Sequence, residues 1–409
     1  MLDALPLVFV LIGLVLYTVL AGADFGAGIW QLLSGGGERG ERIRDHCHHS
    51  MGPVWEANHV WLIFVLTVTW TAYPVFFGSV ASTLSVALFL AGLGIILRGA
   101  SYALRSAAAG TRGVRTIDRM FAVASLVTPF ALGAAAGGIA AERVPVGNAA
   151  GNLITSWLNP TSILIGLLAV AFSAYLAAVY LAADAAARGE PDLVEAFRMR
   201  ALGAGAAAGG LALAGLILVH ADDHPLYTGL VHGAALAVLI LSVVVGTTTM
   251  GLNTARRFEL ARYTGALAVA LVIADWAFAR WPTLLPGLTV DQAAAPHDTM
   301  VAVVVAVLAG AVLLFPALAL LFTLTLRGHL GGHAEETAPV ATTGHSGVAN
   351  LLLGPTLGAR LAVALLIVGI GLLNLADAAW AHAIGVVSLL AFILVAFAAL
   401  VPRTLAEDA

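Results

Sequence analysis

The chain has 409 residues, of which 60% are hydrophobic and 10% charged, a composition that excludes a soluble enzyme or a water-exposed binding domain. At about 20 residues per crossing, the apolar content fills on the order of ten to twelve membrane-spanning helices, so the fold class is all-α and polytopic. The net charge of -4, from 19 basic and 23 acidic residues, is too small to indicate nucleic acid or an acidic substrate as partner.

The first apolar run covers residues 5–33 and follows no basic n-region and no small-residue cleavage site; it reads as a retained span. Within it the segment AGADFGAG carries Asp24. Gly22 and Gly26 form a small-xxx-small pair that lets another helix approach. A carboxylate at membrane depth is costly and faces protein or water, so Asp24 is either half of a structural ion pair or a proton-conducting acid. The following segment, RDHCHHS, gathers His46, Cys47, His48 and His49. Its spacing matches no metal-ligand pattern, and it reads as a short solvated loop. Cys47 is the only cysteine, which excludes an intrachain disulfide and a four-cysteine cluster.

The second run, 53–77, opens PVWEANHVWLI. At about 100° per residue, Glu56, His59, Ile63, Thr67 and Trp70 fall in one stripe, with Asn58 on the other side. Glu56 and His59 on one face suit the mouth of a proton-delivery path running inward; the alternative is a pair of interfacial polar residues packed against a partner helix. The third run, 79–104, contains Arg98, expected at the depth of Asp24 and Glu56, so the three are expected to form one buried cluster. Arg98 is then the charge partner that holds the acids ionised or fixes their geometry, with purely structural pairing as the alternative.

Further runs lie at 120–141, 160–183, 201–220, 226–250, 263–281, 299–326, 357–376 and 378–400, making eleven candidate spans. His220, His224 and His232 fall near the ends of the sixth and seventh, where interfacial histidines are more common than haem ligands. Asp275 is a further intramembrane acid in the eighth. The connection 328–355, rich in Gly, Ala, Thr and His, reads as a flexible cytoplasmic linker. It divides a nine-span domain, 1–327, from an accessory hairpin and tail, 356–409. All 19 basic residues are arginine, and 16 fall in or at the edges of the odd-numbered connections or in the C-terminal tail, against two, Arg143 and Arg280, in or at the edge of the even-numbered ones. The excess of basic residues faces the cytoplasm, which places the N-terminus outside and the C-terminus inside.

GADFGAG in the first span, PVWEANHVWLIFVLTVTWTAYP across the second and Arg98 near the end of the third resemble subunit II of cytochrome bd quinol oxidase. Weaker matches follow in order: LNP at 158–160, RMRA at 198–201, and LTVDQAAAPHDTM before the ninth span. The resemblance covers about residues 1–326 and implies a nine-span subunit of the bacterial cell membrane, with linker and hairpin in excess. It implies a partner, subunit I, that carries haem b and haem d groups and oxidises quinol, with no cofactor and no metal on this chain. Small accessory subunits, membrane lipid and quinone are further expected partners. Carried over by position, Glu56 is the acid of a cytoplasmic proton route, Asp24 the acid of the first-span motif and Arg98 its basic neighbour; the resemblance implies no role for His59. Two other readings stay open, a proton-coupled secondary transporter and a purely structural scaffold subunit.

Overall fold

The computed structural model describes residues 2–51, 55–105, 110–326, 357–375 and 379–400. The described residues of the eleven apolar runs are largely helical, with breaks at Tyr73, at Leu84 and at residues 231–232. Seven described helices are long and apolar enough to cross a bilayer, or eight when one sharply bent pair is taken as a single span.

Helix α1 (Leu5–Leu32) is followed by α2 (Gly37–Met51), α3 (Trp55–Ala72), α4 (Pro74–Thr83), α5 (Ser85–Arg105) and α6 (Gly110–Ala140). Then come α7 (Pro160–Ala187), α8 (Pro191–Asp222), the short α9 (His224–Leu230), α10 (Gly233–Thr254) and α11 (Phe258–Arg280). A two-stranded antiparallel hairpin, β1 (Thr283–Leu285) and β2 (Leu288–Thr289), leads through α12 (Val290–Ala293) into α13 (His297–Leu326). Proline stands at the first or second position of α1, α4, α7, α8 and α9, where its missing N–H leaves no intrahelical bond unmade. Asn159 and Asp223 cap α7 and α9, accepting from the amides of Ser162 at 2.9 Å and Leu226 at 3.0 Å.

Helices α1 and α7 form the centre. α7 packs on α1, α6 and α8, and α1 packs also on α3, α6 and α11. Close approach follows from glycine: a Cβ at Gly26 would run into the backbone carbonyl of Ser173 on α7, and one at Gly28 into the Ser125 side chain on α6. The small-residue pair expected from sequence is therefore asymmetric, since a Cβ at Gly22 would sit in ordinary contact, 3.6 Å from Leu176 and Ser173.

The chain divides into two compact units, Met1–Pro316 and Ala317–Ala409. In the second, α14 (Leu357–Leu375) and α15 (Ala379–Leu400) pack on each other, with Gly369 against Leu389.

Two sequence expectations are corrected. The apolar run 79–104 is not one straight span, because α4 and α5 meet at 82° around Leu84. The segment RDHCHHS is not a solvated loop but part of α2. Ile43, His46 and Cys47 stand at i, i+3 and i+4, so one edge of this otherwise hydrophilic helix is buried. That edge packs against Leu181, Leu193 and Phe197 of α7 and α8. His46 Nε2 lies 3.0 Å from the Leu181 carbonyl and its Nδ1 3.5 Å from Arg188, a pairing that suits the neutral ring with its proton on Nε2.

At one end of the bundle, segments distant in sequence are tied together. The Tyr73 hydroxyl donates to the Asp3 carbonyl at 2.6 Å, and the Ala295 amide to the Ala72 carbonyl at 2.8 Å. The amides of Gly147 and Ala149 donate to the hydroxyls of Ser79 and Ser82 on α4. Both arginines of the even-numbered connections are ion-paired, Arg143 with Asp222 at 3.1 Å and Arg280 with Glu142 at 2.6 Å.

Burial lowers the pKa of His46 and pushes the Cys47 thiol up to about 12. For His46 the neutral ring is the form the fold prefers. Its contribution is complete above the ordinary histidine value of about 6.5 and is lost as pH falls through the lowered folded value. Hydrogen exchange of the α2 amides, corrected for intrinsic rates, should accelerate below pH 6.5. Native Cys47, fully buried, should resist maleimide at pH 7.5, whereas His46→Ala, which leaves the Leu181 carbonyl without the ring donor, should raise labelling at least about fivefold, as expected for about 1–3 kcal/mol of lost seating. Equal labelling of both proteins would refute this seating of α2.

Candidate functional site

Arg98 of α5 is 1% exposed, although a guanidinium at membrane depth requires partners for its charge and its donors. Nη2 lies 2.6 Å from Asp24 Oδ2 on α1 and 3.5 Å from the Asp24 carbonyl, while Nη1 donates to Ser125 Oγ on α6. Ser125 in turn donates to the Phe121 carbonyl at 2.6 Å, so its proton is committed to backbone and its lone pair faces the guanidinium. The guanidinium carbon also lies 4.9 Å from the Phe25 ring centroid and 4.3 Å from that of Phe121, within cation–π range. The pair expected between Asp24 and Arg98 is present. Asp24 Oδ1 is buried with no hydrogen-bond donor among the described residues.

On α3 the predicted stripe shares a face, but that face does not line the interior of this chain. Ile63, Thr67 and Trp70 are exposed, Trp70 by 65%, so the stripe faces outward from this chain. His59 is half-buried, its ring edge-on to Tyr17 of α1 at 6.2 Å. Asn58, on the opposite side, is buried and donates to the Leu20 carbonyl at 3.3 Å. Periodicity identifies which residues share a face but not which way that face points, and on a wholly apolar helix both directions are tolerated. Glu56 lies in the first turn of α3; its side chain lies outside the described residues, so its expected place in the Asp24–Arg98 cluster has no geometric description.

Ser125, Tyr17, Phe25 and Phe121 were not picked out by sequence reasoning. Ser125 is one serine in an apolar helix, and no local motif marks it. The signal that existed was Gly28, whose missing Cβ makes the room that Ser125 fills.

Asp275 of α11 is buried, and its Oδ1 has no hydrogen-bond partner among the described residues. His220 and His224 have ring centroids 5.5 Å apart, with Tyr227 4.4 Å from His220. Both histidines are exposed. Among the described residues no three His, Cys, Asp or Glu side chains gather in a metal-binding group. His329, His333 and His345 lie outside the described residues.

The family model for cytochrome bd terminal oxidase subunit II matches residues 2–325. The chain belongs to that family. Curated relatives include cytochrome bd ubiquinol oxidase subunit 2 of Bacillus subtilis (strain 168), 28% identical over 114 residues, which are 28% of this chain and 33% of the relative. Cytochrome bd-I ubiquinol oxidase subunit 2 of Escherichia coli (strain K12) is 28% identical over 182 residues, 42% of this chain and 47% of the relative. The matched stretches thus span a third to a half of these relatives' lengths. Among solved structures, the bd oxidase from Geobacillus thermodenitrificans aligns with a TM-score of 0.63 at 24% identity, covering 80% of this chain and 98% of that one, a likeness of fold. The subunit II match includes Asp24, Glu56, His59 and Arg98 and stops before α14 and α15. A multi-pass protein of the bacterial inner membrane is consistent with this family and with the helices described.

Removing one partner of a buried ion pair strands the other, at a cost of about 3–5 kcal/mol. Asp24→Ala and Arg98→Leu should therefore each lower folded yield in mild detergent, with the melting transition moved down by several degrees. Combining Asp24→Leu with Arg98→Met should recover much of that loss. Single variants as stable as the wild type in a thermal-melt assay would mean that the pair is not buried as described.

Proposed function

We propose that this chain acts as subunit II of a membrane oxidase that oxidises quinol and reduces oxygen to water. A partner subunit I carries the haem b and haem d chemistry, and this chain supplies structural support and a proton route from the cytoplasm. The observation that carries the reading is the subunit II family match across residues 2–325, which takes in the charged α1–α5 pair.

In this reading Arg98 holds Asp24 in place, and the free Oδ1 of Asp24 accepts and releases protons. Glu56 and His59 on α3 deliver them from the side on which the arginines concentrate. The exposed apolar face of α3 and α5, including Ile63, Trp70, Phe89 and Ile96, is covered by subunit I, so the route runs at the interface between the two chains. Quinone and surrounding lipid are met by the complex as a whole, and small accessory subunits have room on other exposed faces. Residues 328–355 act as a linker to an accessory hairpin formed by the last two helices.

The transporter reading gains little from the bend at Leu84. That break stands fourteen residues before Arg98, about 20 Å along a helix, so it does not present free backbone at the charged pair as broken transporter helices do. The scaffold reading is separated by one substitution. Glu56→Gln keeps shape and hydrogen bonding but removes the titrating group. The assembled complex should retain its haem content and consume oxygen at least about tenfold more slowly with saturating quinol, whereas Glu56→Asp should keep much of the rate. Wild-type turnover in the Gln variant would leave this chain a scaffold.

A further inference from the structure

The arginines at the end of the bundle that carries most of them are not all engaged in the same way. Arg198 binds Glu195 in a two-pronged contact at 2.6 and 3.0 Å, and Arg256 reaches the same carboxylate at 3.2 Å. Arg262 pairs with Asp184 at 2.7 Å, and Arg42 lies 3.6 Å from both Glu190 and Asp192. Arg39 and Arg200 have no carboxylate partner among the described residues. They line one cavity of about 390 Å³, open to the surface, together with Trp30, Met199, Gly203 and Ala204, and with Glu195, whose charge is already matched twice.

The setting of Arg200 is that of a membrane boundary. It is the last charged residue of α8 before an apolar stretch reaching His220. Its guanidinium carbon lies 5.6 Å from the Trp30 ring centroid and 5.5 Å from that of Phe197, and its Nη1 donates to the Ala196 carbonyl at 3.0 Å. Trp30 is fixed in turn, its indole N–H donating to the Ala174 carbonyl at 2.8 Å. An indole beside a guanidinium at the edge of the hydrocarbon marks headgroup level. Directly along α8, Ala196, Arg200, Gly203 and Ala204 share one face. A Cβ at Gly203 would meet nothing within 4 Å, so open space lies beside α8 just below the two arginines. Met199 beside it is 57% exposed.

We propose that this cavity between α1, α2 and α8 binds an anionic phospholipid, its phosphate held by Arg39 and Arg200 and an acyl chain lying along Met199, Gly203 and Ala204. Two guanidiniums without a carboxylate partner among the described residues, set above an apolar helix face, are complementary to a ligand with a negative head and an apolar tail. A soluble phosphate would use only the upper half of the site, and a zwitterionic lipid would bring its own cation against the arginines.

The test uses the full complex, delipidated in detergent and examined by native mass spectrometry with phosphatidylglycerol, phosphatidylcholine or inorganic phosphate added. The wild type should retain phosphatidylglycerol over phosphatidylcholine by at least about tenfold, as two interfacial arginines imply. Arg39→Gln combined with Arg200→Gln should bring that ratio close to one, while Arg143→Gln at the other end of the bundle should leave it unchanged. If the double variant does not assemble, Arg39→Gln alone, on the exposed side of α2, should reduce the preference several-fold. An equal ratio in wild type and variants overturns the proposal. So does displacement of phosphatidylglycerol by equimolar phosphate, which would make this a free-anion site, and so does protection of Arg39 and Arg200 by another protein subunit in the lipid-free complex.

Discussion

A guanidinium inside a membrane bundle imposes its needs on every helix near it. Arg98 has five N–H donors and a full charge, and in a medium of low polarity it must find acceptors and a counter-charge within reach of its own side chain. Asp24 answers the charge, the Asp24 carbonyl and Ser125 answer donors, and the rings of Phe25 and Phe121 cover the flat faces. These groups come from α1, α5 and α6, so the three helices are held at one mutual depth. Such depth is not fixed by apolar contact alone, because lipid tails are as apolar as leucine side chains. Glycine completes the arrangement: Gly28 leaves room for Ser125, and Gly26 lets α7 close on the other side of the same turn of α1.

That dependence explains what was legible beforehand. Asp24 and Arg98 stand out because charge inside an apolar run is rare, and two opposite charges at equal depth imply each other. Ser125 and the two phenylalanines are ordinary members of apolar helices, and only the tertiary approach of α6 gives them a role. The buried edge of α2 was written at Ile43, His46 and Cys47, yet a seven-residue window full of histidine and charge hides a pattern that needs i, i+3 and i+4. The bend at Leu84 had no comparable signal. Pro74 marks the start of α4, but nothing in STLSVAL breaks a helix, and the contacts that fasten α4, from the amides of Gly147 and Ala149 to Ser79 and Ser82, come from a loop 67 to 68 residues away in sequence.

The faces of α3 divide the chemistry of this subunit. Its Asn58 side is sealed against α1, while the side with Ile63, Thr67 and Trp70 is open. His59 lies between, touching Tyr17 at the edge of the core. An acid paired with an arginine is held in one place, whereas the open face of α3 offers surface on which a further helix could pack.

The ties at one end of the bundle bear on the order in which the subunit is made. Tyr73 reaches back to the Asp3 carbonyl, and Ala295 reaches back to Ala72. At bacterial-like synthesis rates of about 5–20 residues per second, residue 295 emerges roughly 15 to 60 s after residue 3. Until then, the turn between α3 and α4 has the N-terminal segment as a partner but lacks the segment that closes over it. The helices carrying the charged pair are thus inserted and able to meet well before this end of the molecule is fastened, and quality control acting on the newly made subunit would find its last exposed backbone groups there.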